Sequence, residues 1–224
     1  ALIQEYEIAG FIYEPLVQGA AAMKMYDKTG LELLIKRCQQ ANIICIADEV
    51  MTGFGKTGTN FASEQLNVEP DIICLSKSLS AGMVPMGLTS CTKRIFKAFY
   101  DDSIAKGLFH GHTYTGNPLA CAAALAGIKL LKSTNIQNQI KDINLQHQAF
   151  AKQIKSHPLV KSVRHLGVIF ALDLAIEMPR YGKERNWLFN FFMKQGVFLR
   201  PLGQTIYILP PFVISPKELA KIYA

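Results

Sequence analysis

The sequence has 224 residues, of which 50% are hydrophobic and 18% are charged, and this composition is typical of a globular protein with a substantial core. The length fits one large domain or one and a half, and no apolar run approaches the roughly 20 residues of a membrane-spanning helix. The net charge of +7 could indicate an acidic partner, but the basic residues are scattered along the chain. We therefore expect neither nucleic-acid nor membrane binding, whereas anionic small molecules fit this charge.

The chain begins with Ala1 and shows no basic and apolar signal segment, so we expect a processed chain or a piece of a longer protein. Its five cysteines are an odd number without close pairs, which disfavours disulfide bonds and a zinc site. Their mostly apolar neighbours predict reduced core cysteines in a cytoplasmic protein.

The first part of the chain alternates strand and helix patterns, as α/β regions do. Residues 9–14 form a short apolar run with aromatic and β-branched side chains, which predicts a strand. Residues 28–41 predict an amphipathic helix. Its predicted buried stripe consists of Leu31, Leu34, Ile35 and Cys38. Residues 42–50 are apolar until two final carboxylates, as in a strand buried on both faces of a parallel sheet.

Two more strands of this kind are predicted at residues 71–75 and 86–90. A helix is predicted to begin at Asn117-Pro118, with Asn as N-cap and Pro in the first turn. The first 133 residues therefore predict an α/β region whose ligands bind beyond the carboxyl ends of the strands.

The pattern changes after Ser133 to mixed helices and short strands, which predicts a smaller α+β domain. The predicted helices are 136–156 and 185–195, and the predicted strands are 160–174 and a pair within 198–212 that is broken at 201–203. No linker or repeat separates the two parts, so we expect two closely packed domains, residues 1–133 and 134–224.

Charged residues follow two of the predicted buried strands. Asp48 and Glu49 end the strand at 42–50, where a carboxylate must be paired; an N-cap or turn acid is the simpler interpretation. Lys77 follows the strand at 71–75 and is either a lysine that reaches solvent or a nucleophile towards a carbonyl. Because parallel strands end at the same edge of a sheet, we expect the acid and the amine to share that edge.

A pyridoxal cofactor needs these two groups, because a lysine amine binds its aldehyde and a carboxylate keeps its ring nitrogen protonated. Its phosphate needs hydroxyls, glycines and helix N-termini, which the loop at residues 110–117 supplies. His110 and His112 could be half of a metal site, but no third ligand of suitable spacing is visible, so we predict no metal. Arg200 ends an apolar strand and forms either a structural salt bridge or a bidentate contact with a substrate carboxylate.

Four segments in order carry a resemblance to a known family: EPLVQGAAAM (14–23), IADEVMTGFGKTG (46–58), PDIICLSKSLSAG (70–82) and HGHTYTGNPLACAAA (110–124). They resemble the signatures of the second half of the class III, fold type I, pyridoxal-phosphate-dependent aminotransferases. The resemblance implies an α/β fold with a mainly parallel sheet in a large domain, partial here, and a smaller α+β domain. It also implies pyridoxal 5'-phosphate as cofactor, small-molecule substrates, and a cytoplasmic homodimer with its active site at the interface.

The resemblance also assigns roles to residues. Lys77 would bind the cofactor and move a proton between the substrate and the cofactor. Asp48 would pair with the ring nitrogen, and Val50 would pack on the ring. Thr113 would bind the cofactor phosphate across the dimer interface, and Glu14 and Gln18 would support the cofactor. Arg200 would bind the substrate carboxylate, and Gly111 and Tyr207 would line the substrate site.

Two segments, VQGAAAMKMY and RPLGQTIYILPPF, resemble family members of biotin biosynthesis that use S-adenosylmethionine, or lysine in some relatives, to aminate 8-amino-7-oxononanoate by ping-pong chemistry. Family members that act on acetylornithine, ornithine or 4-aminobutyrate remain alternatives, as does a truncated, non-catalytic polypeptide. His112 stands where a Pro is frequent in this family, and Ala21-Ala22 stand where Gly-Gly is common. In members of this family, the first half of the chain carries a further loop that binds the cofactor phosphate. We therefore do not expect full activity from these 224 residues alone.

Overall fold

A computed structural model describes residues 2–224, and its elements alternate as an α/β protein requires. The elements in chain order are α1 (Leu2–Glu5), β1 (Gly10–Tyr13), β2 (Val17–Gln18), β3 (Lys24–Met25), α2 (Lys28–Gln40), β4 (Ile44–Asp48), β5 (Ile72–Leu75), β6 (Leu88–Cys91), α3 (Lys93–Phe99), α4 (Pro118–Leu131), α5 (Thr134–Ile154), β7 (Val160–Leu166), β8 (Ile169–Leu174), α6 (Lys183–Lys194), β9 (Thr205–Ile208) and α7 (Pro216–Tyr223). Short 3₁₀ turns lie at Ala62–Gln65 and Ile104–Lys106.

The chain folds into two compact units. The first unit contains the chain up to Leu16, Tyr26–Phe54 and Phe61–Leu131. The second unit contains Val17–Met25, Gly55–Asn60 and Lys132–Ala224. The sequence-based division at residues 133 and 134 stays a prediction, and the two short segments of the second unit lie before it in the chain.

The first unit is built on a four-stranded sheet in the order β1-β4-β5-β6. The strands β1, β4 and β5 are parallel, as predicted, and Cys45 and Ala47 on β4 are fully buried. The strand predicted at residues 86–90 is present as β6, but it is antiparallel to β5 and exposed along its whole length. The prediction of a buried parallel strand there was wrong, because β6 lies at the edge of the described sheet.

The helix α2 packs on this unit through a narrower stripe than predicted. Asp27 caps it by accepting a hydrogen bond from the Gly30 N–H at 2.6 Å. The predicted residues Leu31, Ile35 and Cys38 are buried. Leu34 is 42% exposed, and Glu32 is buried in its place because its carboxylate accepts hydrogen bonds from the backbone and side chain of Asn67.

The second unit has an antiparallel sheet in the order β7-β8-β9 and the two-stranded hairpin β2-β3. Ser133 caps α5, and the α5 residues Ile140, Ile143 and His147 are buried. His147 is fully buried although its ring is polar. Its Nε2 lies 3.1 Å from the Val168 carbonyl, and its Nδ1 lies 2.6 Å from the Tyr223 hydroxyl, so both ring nitrogens have partners inside the core.

The C-terminal part of this unit differs from the prediction in two elements. The predicted pair of strands within 198–212 is a single strand, β9, with an isolated bridge between Leu202 and Thr205. The helix α7 was not predicted, although Ser215 and Glu218 form a capping box at its start and Pro216 occupies its first turn.

The turn between β7 and β8 touches the loop at residues 55–60. The Val168 N–H donates to the Lys56 carbonyl at 3.0 Å. Gly167 has a φ of +58°, and a Cβ there would lie 2.3 Å from the Gly58 nitrogen and 2.3 Å from the Thr57 carbonyl carbon. Only glycine allows these two backbone segments to approach so closely.

All five cysteines are free thiols. Cys38 and Cys45 are buried as predicted, whereas Cys91 lies exposed on the edge strand β6 and is not a core residue. No single helix within residues 2–224 is long and apolar enough to cross a membrane; α4 and α5 reach the required length and composition only together, with a bend of 65° between them.

Candidate active site

The neighbouring strands β4 and β5 end at the same edge of the first unit's sheet. Asp48, the last residue of β4, pairs with Cys74 in the parallel register. The Glu49 N–H extends the ladder by donating to the Cys74 carbonyl at 3.0 Å. Lys77 follows Cys74 by three positions, in the turn after β5. The structure therefore places Asp48 and Lys77 at one edge of the sheet, where ligands of α/β proteins bind.

One carboxylate oxygen of Asp48 accepts a hydrogen bond within the protein, and the other is free. Its Oδ1 accepts a hydrogen bond from the Val50 N–H at 3.0 Å, which fixes the side chain beside the strand end. Its Oδ2 has no hydrogen-bond partner among residues 2–224, and the residue is half-buried. Asp48 is thus both the predicted turn acid and a free acceptor.

Glu49 anchors the loop that follows Asp48, a role that the sequence did not indicate. The residue is fully buried. Its carboxylate accepts hydrogen bonds from the Thr52 hydroxyl at 2.7 Å, the Ala62 N–H at 3.0 Å and the Ser63 N–H at 2.7 Å. The two adjacent acids therefore differ in role. Glu49 is buried and holds the following loop through hydrogen bonds, whereas Asp48 keeps one carboxylate oxygen free.

Lys77 is exposed and makes no ion pair with any residue that the structure describes. The described residues therefore do not bury its amine. The loop around it is nevertheless fixed, because Ser76 Oγ donates to the Met86 carbonyl at 2.8 Å. The helix α4 also packs closely on this loop, since a Cβ at Gly127 would lie 3.3 Å from the Leu79 carbonyl oxygen.

The loop at residues 110–117 leads into α4 and faces a cavity of about 620 Å³ within the first unit. Asn117 caps the helix by accepting a hydrogen bond from the Ala120 N–H at 2.9 Å, as predicted. His112, Thr115 and Asn117 line the cavity together with Ser76. Gly111 and Thr113 do not line it, and both are exposed.

The other predicted cofactor residues lie at separate positions. Glu14 follows β1 and is half-buried, and Val50 is half-buried two residues beyond β4. Gln18 lies exposed on β2, in the second unit. Their roles at a cofactor stay predictions.

Arg200 and Tyr207 line one cavity of about 540 Å³ in the second unit. Arg200 is exposed, and no acidic side chain of the described chain pairs with it, so the structural salt bridge considered from the sequence is not formed there. The rest of the lining is apolar. It consists of Phe198, Leu199, Ile208, Leu209, Pro210, Pro211, Ile214 and Ile222.

The chain is similar to one known family of enzymes. The profile of the family described as aminotransferase class-III matches residues 2–224. The adenosylmethionine-8-amino-7-oxononanoate aminotransferase of Synechococcus elongatus is 41% identical over 220 residues, which cover 97% of this chain and 51% of that protein. The protein of the same name from Helicobacter pylori is 38% identical over 226 residues, covering 97% and 51%. The chain therefore spans about half the length of these relatives.

Solved structures show the same fold. An omega transaminase from Pseudomonas jessenii in complex with PMP matches with a TM-score of 0.87 and 29% identity, over 96% of this chain and 49% of that one. A Bacillus anthracis aminotransferase matches with a TM-score of 0.87 and 26% identity, over 96% and 50%. These matches confirm the predicted fold type I α/β architecture.

Proposed function

Because the chain belongs to the class-III aminotransferases, we propose that the protein transfers an amino group from S-adenosylmethionine to 8-amino-7-oxononanoate, giving 7,8-diaminononanoate for biotin biosynthesis. The names of the relatives at 38–41% identity support this substrate pair. The solved omega transaminases share less of the sequence, 29% for the Pseudomonas jessenii enzyme, so the biotin-pathway reaction is favoured over other class-III reactions.

The observation that carries the proposal is the shared sheet edge of Asp48 and Lys77. Class-III aminotransferases depend on pyridoxal phosphate, and the groups present fit it: an amine without an ion pair and a carboxylate oxygen without a partner. When bound, this cofactor supplies an electron sink that accepts and returns the amino group. The register that aligns Asp48 with Cys74 places Asp48 at the end of β4 and Lys77 in the turn after β5, at the same edge of the sheet.

The side chains divide the remaining work. Lys77 would hold the cofactor through its amine and move the proton at the substrate α-carbon. Asp48 would keep the ring nitrogen protonated through Oδ2 while the Val50 N–H orients the carboxylate through Oδ1. Val50 would pack on the ring, and Glu14, with Gln18, would support the cofactor.

The cavity of Arg200 and Tyr207 suits the proposed acceptor substrate. Its lining pairs one guanidinium with eight apolar residues and a tyrosine. A guanidinium binds a carboxylate through two parallel hydrogen bonds, and the apolar wall matches the aliphatic chain of a nine-carbon keto acid. Gly111 is assigned to the substrate site by the family resemblance alone.

We further propose a homodimer whose interface completes the active site. The exposed hydroxyl of Thr113 would bind the cofactor phosphate of the partner subunit, which fits its position outside the cavity of its own unit. A cytoplasmic location fits the five free thiols, because reducing compartments keep cysteines in this form.

The decisive experiment maps the lysine that binds the cofactor. Protein incubated with pyridoxal phosphate should turn yellow, and borohydride reduction followed by peptide mapping should find the label on Lys77. Lys77→Ala should stay colourless and inactive, whereas Lys93→Ala, an exposed lysine of the same unit, should behave as the parent. A label that persists elsewhere in the Lys77→Ala protein would overturn the assignment.

The substrates are tested separately by a panel of amino donors and amino acceptors. Arg200→Gln should raise the KM for 8-amino-7-oxononanoate at least about tenfold, the value of one charge-assisted contact, and leave the KM of the donor unchanged. Faster turnover of acetylornithine or 4-aminobutyrate by the parent would reassign the protein within the family.

A further inference from the structure

A second cavity in the second unit lies beside the β2-β3 hairpin and has a volume of about 480 Å³. We call it the hairpin cavity. It shares no lining residue with the cavity of Arg200 and Tyr207. Its volume falls in the range of small-molecule sites. Its charges are three cations, Lys24, Arg164 and Arg180, and one acid, Asp173.

One cation and the acid are fully committed to the protein itself. Arg164 donates from Nη1 and Nη2 to both carboxylate oxygens of Asp173, at 2.7 and 3.0 Å. Its other N–H groups donate to the Met23 and Ala22 carbonyls and to Ser162 Oγ. All five guanidinium hydrogens are used. This pair is therefore the structural wall of the cavity and has nothing left for a ligand.

The other two cations keep N–H groups that can bind a ligand. Arg180 uses a single N–H, which donates to the Ala20 carbonyl at 3.1 Å, and its guanidinium lies 5.9 Å from the centre of the Tyr181 ring. Lys24 is exposed on β3. Neither one pairs with an acidic side chain in the part of the chain that the structure describes. Because Arg164 neutralises Asp173, the cavity keeps two positive charges.

The rest of the lining contains the polar residues Gln204 and Thr205 and several apolar side chains. Met25 follows Lys24 on β3, and Met178 lies two residues before Arg180 in the chain. Leu202 belongs to a turn that is fixed by reciprocal backbone hydrogen bonds with Thr205. The cations of the hairpin cavity thus adjoin flexible thioether side chains, which adapt to irregular apolar ligands.

We propose that the hairpin cavity binds a small monocarboxylate with a short apolar chain. Arg180 and Lys24 bind the carboxylate, and Met25, Met178 and Leu202 contact the chain. The apolar lining disfavours inorganic phosphate, which would leave that surface uncovered. This site does not depend on the proposed function, since none of its residues has a role in that reaction.

Methyl NMR on the full chain tests the site directly, because two of the seven methionines line it. Protein labelled with ¹³C at the methionine methyl groups is titrated with hexanoate, up to concentrations well above an expected Kd of order 1 mM. The Met25 and Met178 methyl signals, assigned with Met→Leu variants, should shift with saturation. The Met193 signal, from the exposed helix α6, should not shift.

Matched variants and ligands separate the site from non-specific binding. Arg180→Gln and Lys24→Ala should each weaken hexanoate binding about tenfold or more, whereas Lys155→Ala, an exposed lysine outside the cavity, should not change it. Hexylamine should leave both signals in place. The proposal is overturned if Met25 and Met178 do not respond to hexanoate, if inorganic phosphate binds more tightly, or if Arg180→Gln binds hexanoate like the parent. An unchanged Met193 signal shows that each variant remains folded.

Discussion

Replacing Gly167 by alanine should destabilise the second unit more than the same replacement at Gly196, which also has a positive φ. Two costs add. The φ of +58° is a left-handed conformation that costs an alanine about 1–2 kcal/mol. The new Cβ would also lie 2.3 Å from two backbone atoms and 2.7 Å from the Lys56 carbonyl oxygen, and overpacking of this kind costs about 1–3 kcal/mol. We expect a loss of about 2–5 kcal/mol in the free energy of unfolding.

Gly196→Ala is the matched control. Gly196 has a φ of +70°, but the nearest atom to its added Cβ is Lys221 Nζ at 3.1 Å, the flexible end of a side chain. This variant carries the conformational cost of about 1–2 kcal/mol without a backbone collision. The difference between the two variants therefore isolates the contact between the β7-β8 turn and the loop at residues 55–60.

Urea unfolding at 25 °C measures both variants, with far-UV circular dichroism and the fluorescence of Trp187 as probes. Trp187 is the only tryptophan and lies on α6 in the second unit, so its signal follows this unit. If Gly167→Ala is within about 0.5 kcal/mol of Gly196→Ala, the margin that surface changes reach, the close backbone approach does not contribute to stability and our reasoning fails.

Three further predictions concern polar groups that are buried or half-buried. Burial lowers the pKa of His147 to about 4, while a histidine of the unfolded chain has a pKa of about 6.5. Between these pH values the unfolded chain binds a proton that the folded chain does not bind, so the free energy of unfolding should fall by about 3 kcal/mol as the pH falls from 7 to 4. Unfolding titrations measure this loss, and His147→Gln should remove it. Glu49→Gln should lower the free energy of unfolding by about 2 kcal/mol, because an NH₂ group would face backbone donors, whereas the exposed Glu64→Gln changes it little in the same denaturation assay. Arg164→Lys should cost about 2 kcal/mol or more, because an ammonium cannot make five directed bonds, and an unchanged unfolding midpoint beside an Arg37→Lys control would refute this.

Patterns that depend on local sequence were predicted well. The apolar runs that became β4 and β5, and the Asn117 cap of α4, follow from burial and capping that neighbouring residues determine. The shared edge of Asp48 and Lys77 followed from the rule that parallel strands end together. A capping box at Ser215 also marks α7 in the sequence, so this missed helix was predictable.

Features that depend on distant partners could not be predicted in this way. The strand β6 is exposed because it lies at the edge of the sheet and no described element packs over it. The hairpin β2-β3 has two residues per strand and no periodic pattern. The burial of Glu49 depends on donors 13 and 14 residues away. A single sequence shows none of these contacts, because each joins residues with no pattern in common.

The contacts of Arg164 also constrain the order in which the protein folds. Its hydrogen bonds reach the Met23 and Ala22 carbonyls across 141 and 142 positions of the chain. During synthesis, the hairpin leaves the ribosome long before β7 exists, and it has too few residues to be stable alone. Contacts of such long range form slowly, because the loop must close before it gains any stabilisation. The second unit is therefore expected to fold only after β7 has been made, with the hairpin β2-β3 joining a sheet formed from residues that follow it by more than 130 positions.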